Sequence, residues 1–189
     1  MFPMVSEAWE FDAAKAVFET QIAFLRQQRK PLPKKIRYGV MLEVPSLAEQ
    51  LDLIAPDIAF LSIGTNDLTQ FLFAADRANP KLAERYDWLG VSIMRFLRRV
   101  VTGVAGHAID VTVCGEMGGR RLEALALLGI GIRRLSITPA AVGPIKELVR
   151  QIDLAEISAA MEGWLAAPPP AGLRAAILDW ANARGIACD

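Results

Sequence analysis

Short apolar runs alternate with segments of helical periodicity through residues 1–152, and this alternation limits the fold more than any other feature. The runs predicted to be strands are Met1–Val5, Ile36–Leu42, Ile58–Ile63, Val111–Val113 and Leu135–Ile137. Between the first two runs, apolar residues such as Phe11, Phe18 and Ile22 recur at helical spacing, after Ser6 as a possible N-cap. Strands that alternate with helices form parallel sheets with right-handed crossovers. The sequence therefore predicts an α/β protein with five strand–helix units.

The helical segments divide the chain into two parts. Helices are predicted over 45–55, 68–74, 91–104, 122–128 with Gly129 as a C-terminal cap, and 145–152. Beyond residue 152 two further helices, 154–165 and 173–184, follow each other without an intervening strand. We therefore expect a strand–helix part over 1–152 and a helical extension of the same domain over 153–189.

Five units are too few to close a parallel sheet on itself. A (β/α)8 TIM barrel has eight strands and typically about 250 residues. An open parallel edge at the first strand would be a liability for an isolated chain. We therefore predict the C-terminal five βα units of a TIM barrel, plus the helical extension, within a longer protein. A doubly wound open sheet is the alternative, and it would require a reversal of strand order.

Composition limits the kinds of binding partner and the cellular compartment that we expect for this protein. Lysine plus arginine number 21 and aspartate plus glutamate number 21, so bulk charge gives no attraction to nucleic acid or to anionic membranes. The two cysteines, Cys114 and Cys188, provide no disulfide framework, which suits a reducing cytosol. No apolar run approaches the roughly 18 residues of a membrane span, and no signal peptide opens the chain. These features predict a cytoplasmic protein that binds neither nucleic acid nor membrane.

Polar side chains follow the predicted strands at their carboxyl ends, where barrels carry their chemistry. Glu43 follows one strand and Asp67 follows the next, and two neighbouring carboxylates could share a hard cation such as Mg²⁺. Arg77 could clamp a phosphate, and the thiol of Cys114 could donate a proton. The glycine pair at 118–119 could form a nest of N–H donors for an anion.

Each of these residues also has a purely structural explanation. One of residues 65–67 could be a helix N-cap, and Glu43 could cap a helix as well. Cys114 could be an inert buried thiol, and Arg77 could pair with Asp76 on the surface. The residues taken one by one leave both explanations open.

Taken together, the motifs resemble a known family. The segments that carry the resemblance are Met41–Pro45, Gly64–Gln70, Ala75–Arg77 and Cys114–Met117. They resemble the enzymes that use phosphoenolpyruvate (PEP), and most closely the enzyme I group of the PEP phosphotransferase system. Met1–Met4 is similar to the fourth barrel strand of that family, and Leu42–Ser46 is similar to the nitrogen-regulatory paralogue. The resemblance covers essentially the whole chain.

The resemblance implies a role for each site residue. Glu43 and Asp67 would bind Mg²⁺. Asn66 and the backbone N–H groups at 64–65, Gly64 and Thr65, would hold the phosphate of PEP, and Arg77 would neutralise it. Charge stabilisation of this kind is what phosphoryl transfer requires.

The resemblance also implies a proton donor and several partners. Cys114 would protonate C3 of enolpyruvate as pyruvate leaves. The phosphoryl group would pass to a histidine on a separate N-terminal domain and then to an HPr-like carrier protein, and the barrel would form a homodimer. His107, the sole histidine of the chain, precedes a strand and is not expected to be the acceptor. The isolated chain is therefore expected to be inactive or nearly so.

Two segments depart from the family pattern, and two other functions remain possible. Arg120 and Arg121 stand where the family usually has an acidic residue, and Asp87–Val91 lacks the usual His-Pro. The first alternative function is the C-terminal part of a pyruvate phosphate dikinase or PEP synthase. Met117 argues against the dikinase, which usually has histidine there. The second alternative is a non-catalytic dimerisation module that has kept the fold.

Overall fold

A parallel sheet of four strands forms the centre of the chain in the computed structural model, which describes residues 1–76, 78–83 and 86–188. The strands are β1 (Gly39–Leu42), β2 (Phe60–Gly64), β3 (Asp110–Cys114) and β4 (Leu135–Ser136). They lie in the order β1-β2-β3-β4, and each pairs in parallel with the next along the chain. The protein is therefore α/β, as predicted. The described strands follow chain order without the reversal that a doubly wound sheet requires.

The predicted N-terminal strand over 1–5 is reduced to one parallel bridge, between Phe2 and Val40. Phe2 N donates to the carbonyl of Gly39, and Met41 N donates to the carbonyl of Phe2, both at 2.9 Å. The pairing stops there because Pro3 has no N–H to donate and Met4 has a left-handed φ of 56°. The prediction of five strands is thus corrected, in the described chain, to four strands and a bridge.

Helices connect and flank the strands. They are α1 (Ala8–Gln27), α2 (Leu51–Ile54), α3 (Thr65–Phe73), α4 (Pro80–Ala83), α5 (Val91–Gly103), α6 (Arg121–Gly129), α7 (Pro139–Gln151), α8 (Leu154–Ala166) and α9 (Leu173–Asn182), with 3-10 helices at Pro45–Gln50 and Met117–Gly119. The predicted helix over 45–55 is thus a 3-10 helix followed by α2. The helix predicted from residue 145 begins six residues earlier, at Pro139, because proline suits the first helical position after the extended Thr138.

Gly129 is not the helix cap that its position suggested. It is the last residue of α6, and the left-handed backbone comes two residues later at Gly131, where φ is 101°. A Cβ at Gly129 would lie only 2.5 Å from Met161 Cγ of α8. The glycine is therefore required for the close packing of α6 against α8.

The helical extension shares the core of the strand–helix part. α8 lies against α5 and α6, and α9 lies against α6. The fully buried side chains of Ile157, Met161 and Ile177 belong to the same apolar cluster as the sheet residues. Arg95 of α5 adds a polar tie by donating through Nε to the carbonyl of Leu165 at 2.8 Å.

The long helix α1 leaves much of its apolar surface uncovered. Phe11 and Ile22 are buried, but Trp9 and Val17 are each 66% exposed, and other apolar side chains of α1 are exposed with them, namely Phe18, Phe24 and Leu25. The helix starts at Ala8, and Ser6 is a donor to Glu10 Oε2 instead of a cap.

Within the described ranges, no helix has both the length and the apolar character needed to cross a bilayer.

Candidate functional site

The strand register brings the predicted site residues to one edge of the sheet. Leu42 of β1 is paired with Ile63 of β2, so Glu43 follows at the level of Gly64. Gly64 is in turn paired with Cys114, the last residue of β3. Carboxyl ends of parallel strands form the edge at which α/β proteins bind their ligands. Glu43, Gly64 and Cys114 therefore lie side by side at this edge.

Glu43 is held at this edge in a buried position. Its side chain accepts a hydrogen bond at Oε2 from Met4 N at 2.9 Å, and the residue is only 7% exposed. It does not cap the helix that follows, because Val44 occupies the N-cap position. A Cβ at Gly64 would lie 2.7 Å from Glu43 Cγ and 3.0 Å from Oε1, so the glycine makes room for this carboxylate. The carboxylate is thus fixed in place and not a mobile surface group.

Replacing Gly64 by alanine should displace Glu43. We expect the free energy of unfolding to fall by about 1–3 kcal/mol, as for other overpacked sites. Gly163→Ala is the matched control, because Gly163 lies within α8 with no atom within 4 Å of its Cβ position. That change should raise the free energy of unfolding by about 0.5–1 kcal/mol. Denaturant unfolding of the chain measures both; a Gly64→Ala protein as stable as the wild type would contradict this packing.

Helix α3 begins at Thr65 without a side-chain cap. Its N-cap is Gly64, which makes no side-chain hydrogen bond to the helix, and residues 65–67 lie inside the first turn. The interpretation of residues 65–67 as an N-cap is therefore wrong. The hydroxyl of Thr65 is fully buried and donates to the carbonyl of Cys114 at 3.1 Å, which ties α3 to β3. Uncapped N–H groups and the helix dipole make such a terminus suited to an anion.

Asn66 carries the one unsatisfied buried polar side-chain atom found among the described residues. Its Oδ1 is buried and lacks a hydrogen-bond partner there. An unpaired buried polar atom costs about 1–3 kcal/mol. The Cβ position of Gly115, whose φ is 106°, lies 3.3 Å from this oxygen and 2.8 Å from Thr65 Oγ1, so a larger residue at 115 would crowd it. Asn66 and Asp67 are both half-buried. An unpaired carbonyl oxygen at this position is an acceptor that a hydrogen-bond donor can satisfy.

The thiol of Cys114 is oriented by two hydrogen bonds. Ser62 Oγ donates to Sγ at 3.3 Å, and Sγ donates to the carbonyl of Ile63 at 3.4 Å. The carbonyl of Ile63 thus orients the S–H group, the kind of donor that a general acid requires. Cys114 is half-buried and not sealed in the core as an inert thiol would be. Ser62 was missed as a site residue, although the register of neighbouring strands was the signal that could have found it.

An open cavity of about 650 Å³ lies next to Asn66. Its lining comes from α3, from the connection between α3 and α5, from the segment after β3, and from α9. The lining residues are Asn66, Thr69, Gln70, Ala75, Asp76, Leu82, Tyr86, Asp87, Trp88, Glu116, Arg120 and Arg174. This feature is called the site cavity below. Of the predicted site residues within the described ranges, Asn66 contributes to this lining.

Arg120 and Arg121, which depart from the family pattern, make contacts in different parts of the structure. Arg120 lines the site cavity, with its guanidinium 4.8 Å from the centre of the Trp88 ring. Arg121 instead donates to Glu147 of α7 at 2.9 Å and to the carbonyl of Ala187 at 2.6 Å. Arg120 therefore adds a cation to the cavity, whereas Arg121 joins the helical extension to α6 and α7.

Arg174, from the helical extension, is a cavity residue that the sequence did not reveal. It donates to Asp87 with Nε and Nη2, both at 2.7 Å, and to Glu123 with Nη2 at 2.6 Å. Burial would raise the pKa of Asp87, but the hydrogen bonds from Arg174 and from the Leu89 amide outweigh it and leave that pKa below its usual value. Chiefly through its hydrogen bond to Asp87, the pKa of Arg174 is raised.

The remaining predicted residues fall elsewhere. Arg77 lies outside the described residues, and its predicted pairing with Asp76 does too. The pair at 118–119 is not a nest, because both glycines lie in a 3-10 helix and neither has a positive φ. His107 precedes the amino end of β3, at the opposite edge of the sheet from Cys114.

A cation at this edge would have two predicted carboxylate ligands. The described residues contain no group of three or more His, Cys, Asp or Glu side chains arranged to hold a metal. Mg²⁺ commonly takes one or two carboxylates and fills its other positions with water and substrate oxygens. Glu43 and Asp67, which follow neighbouring strands, fit that donor chemistry.

Comparison with known proteins identifies the family. A family model described as the PEP-binding domain of PEP-utilising enzymes matches residues 1–154. The chain belongs to the PEP-utilising enzyme family. As a member of this family it is 38% identical, over 156 residues, to the phosphoenolpyruvate-dependent phosphotransferase system protein of Escherichia coli K12.

Other relatives of this PEP-utilising domain have similar names. It is 35% identical over 157 residues to the phosphoenolpyruvate-protein phosphotransferase of Borreliella burgdorferi and 35% identical over 153 residues to that of Haemophilus influenzae. The matches cover 81–83% of this chain but only 21–27% of the relatives. The chain thus spans about a quarter of the length of these relatives, and the match leaves most of the helical extension uncovered.

Proposed function

We propose that the chain is the PEP-binding part of a PEP-protein phosphotransferase, with the substrate at the carboxyl edge of the sheet. The observation that carries the proposal is the alignment of Glu43, Gly64 and Cys114 in neighbouring strands, beside the uncapped start of α3. Together these features offer a carboxylate, an anion-binding helix terminus and a thiol. Those are the groups that PEP chemistry requires.

The turn between β2 and α3 would bind the phosphate of PEP. The N–H groups at Gly64 and Thr65 and the amide of Asn66 would hold the phosphate, and Arg77 would neutralise it. Glu43 and Asp67 would hold Mg²⁺, and this ion would neutralise charge on the phosphate oxygens and polarise the phosphorus centre. Because Glu43 is fixed by Met4 N and by the packing at Gly64, its carboxylate needs little reorganisation to bind.

Cys114 would complete the reaction as the proton donor. When the acceptor attacks phosphorus, the bond between phosphorus and the enol oxygen breaks, and its electron pair stays with enolpyruvate. Carbon C3 then takes the proton from Cys114 Sγ, the carbonyl forms, and pyruvate leaves. The thiolate regains its proton from water. Ser62, which donates to Sγ, would stabilise the thiolate while it exists.

The phosphoryl acceptor would be a histidine supplied by another domain of a longer protein. His107 cannot serve, because it lies before the amino end of β3. From that histidine the phosphoryl group would pass to an HPr-like carrier in the cytoplasm. The chain would be the C-terminal five units of a TIM barrel, with the bridge at Phe2 in the first unit and β1–β4 in the other four, and with 153–189 as an extension of the same domain. The exposed apolar side chains of α1 favour further association, including a homodimer.

The experiment compares the longer protein with the isolated chain. Each is mixed with PEP, Mg²⁺ and an HPr-like carrier, and pyruvate and phosphorylated carrier are measured. The longer protein should form the two in equal amounts, and the isolated chain should form neither, because it lacks the acceptor. If the longer protein forms no pyruvate from PEP, the proposed function is wrong. Fast turnover by the isolated chain would refute the need for a second domain.

A further inference from the structure

Among the described residues of the helical extension, Arg174 is the one that lines the site cavity. The family match ends at residue 154, so Arg174 of α9 lies beyond the part of the chain that the family relationship covers. Its guanidinium lines the cavity and contacts two carboxylates from distant parts of the chain, Asp87 and Glu123. Arg174 therefore joins the extension, the connection before α5 and helix α6 at one point.

Glu123 makes this network different from a surface ion pair. Its side chain is only 4% exposed, and Arg174 Nη2 lies 2.6 Å from its Oε1. A buried carboxylate without a cation is strongly unfavourable. The pair formed by Arg184 and Glu156, also in the extension, has 40% and 54% of its side chains exposed and no buried partner. The pair of Arg174 and Glu123 is therefore constrained to stay formed, whereas the pair of Arg184 and Glu156 is not.

Asp87 links this network to the lining of the cavity. Its Oδ1 accepts the N–H of Leu89 at 2.9 Å, and its carbonyl accepts the N–H of Gly90 at 2.8 Å. Such a side-chain bond two residues ahead defines an Asx turn. Trp88 lies within this turn and beneath the guanidinium of Arg120. By gripping both oxygens of Asp87, Arg174 fixes the turn that presents Trp88 to the cavity.

The same contacts control the charge of the cavity. Its lining includes the carboxylates of Asp76, Asp87 and Glu116. PEP carries a phosphate and a carboxylate, so every uncompensated carboxylate near it weakens binding. Arg174 pairs with Asp87 at the cavity and with Glu123 behind it. Loss of the guanidinium would leave Asp87 without its cation in the lining of the cavity that also contains Asn66, the proposed phosphate ligand.

We propose that Arg174 is a positioning residue for PEP binding. It fixes the turn at Asp87–Gly90 as a wall of the site cavity, and it neutralises the carboxylate of Asp87. The proposal rests on the proposed function for the identity of the anion. Arg174 contacts no reacting atom, so its effect falls on substrate affinity and not on the chemical step. The extension is thereby a part of the substrate site.

The test uses the longer protein with the double variant Arg174→Gln/Glu123→Gln. Removing both charges avoids an unpaired buried carboxylate, so the variant keeps its folded core. Steady-state pyruvate formation should show a KM for PEP about fivefold higher, the effect of one uncompensated charge near the anion. The kcat should change by less than about twofold, because uniform binding is lost and not transition-state binding. The control, Arg184→Gln/Glu156→Gln, should leave both constants unchanged.

Two further measurements distinguish the effect of Arg174 on the position of the turn from its effect on the charge of Asp87. Amide hydrogen exchange at Leu89 and Gly90 should become faster in the Arg174 variant and stay unchanged in the control. Adding Asp87→Asn to the double variant removes the uncompensated charge and should restore part of the KM. An unchanged KM overturns the proposal, whatever the exchange rates. If the wild-type protein forms no pyruvate from PEP, the proposed function fails instead, and unchanged exchange at Leu89 and Gly90 then overturns the positioning role.

Discussion

Replacing Cys114 by alanine is expected to slow pyruvate formation from PEP by about 10²–10⁴-fold, the range for loss of a positioned general acid. The reason is geometric. Sγ lies at the carboxyl edge beside Gly64 and holds its proton in a hydrogen bond to the Ile63 carbonyl. An alanine offers C3 of enolpyruvate no proton. Rapid-quench measurement of pyruvate in the longer protein gives the rate, and PEP binding should persist because the phosphate ligands are untouched.

The other cysteine provides the matched control for Cys114. Cys188 is buried in the helical extension, where it belongs to the apolar core. Cys188→Ala should leave the rate of pyruvate formation unchanged, whereas Cys114→Ser, with a much weaker acid, should remain slow. A Cys114→Ala protein that forms pyruvate at the wild-type rate would remove Cys114 from the mechanism.

Replacing Asp67 by asparagine should lower the rate of PEP turnover by about 10²–10³-fold, as when one preorganised electrostatic contact to the transition state is removed. The amide is close to the carboxylate in size but lacks its charge and one of its two acceptor oxygens. A Mg²⁺ ligand would be weakened, so the Mg²⁺ concentration for half-maximal rate should rise as well. Both quantities come from pyruvate formation measured over a series of Mg²⁺ concentrations.

Asp57→Asn is the control for this substitution. Asp57 is exposed in the turn before β2, at the opposite end of that strand from Asp67. It should change neither the rate nor the Mg²⁺ dependence. If Asp67→Asn behaves like Asp57→Asn, Asp67 is not a metal ligand in this protein.

The sequence was sufficient to predict the part of the fold that depends on local pattern. The apolar runs before Glu43, Gly64 and Cys114 are strands, and their polar ends meet at one edge because parallel strands share a direction. The N-terminal run failed as a strand for a local reason as well. Pro3 and the left-handed Met4 end the pairing after one bridge, and the proline was visible in the sequence.

Contacts between distant residues could not be predicted in the same way. Arg174 and Asp87 are separated by 87 positions, and no local pattern distinguishes Arg174 from the other arginines. The hydrogen bond from Ser62 to Cys114 depends on the register of β2 and β3, which periodicity does not determine. Gly129 looked like a cap because helix ends favour glycine, but the packing of Met161 against it explains the residue. The contact of Arg174, the hydrogen bond of Ser62 and the role of Gly129 all depend on tertiary packing, which no local pattern specifies.

The most direct test of the proposed site is PEP binding to the longer protein with and without Mg²⁺, measured by calorimetric titration. In the proposed site, Glu43 and Asp67 would hold Mg²⁺, which would neutralise charge on the phosphate of PEP. PEP should therefore bind at one site per chain when Mg²⁺ is present and much more weakly when it is chelated. Glu43→Gln should reproduce the effect of chelation. Equal affinity for PEP with and without Mg²⁺, unchanged by Glu43→Gln, would contradict the proposed site.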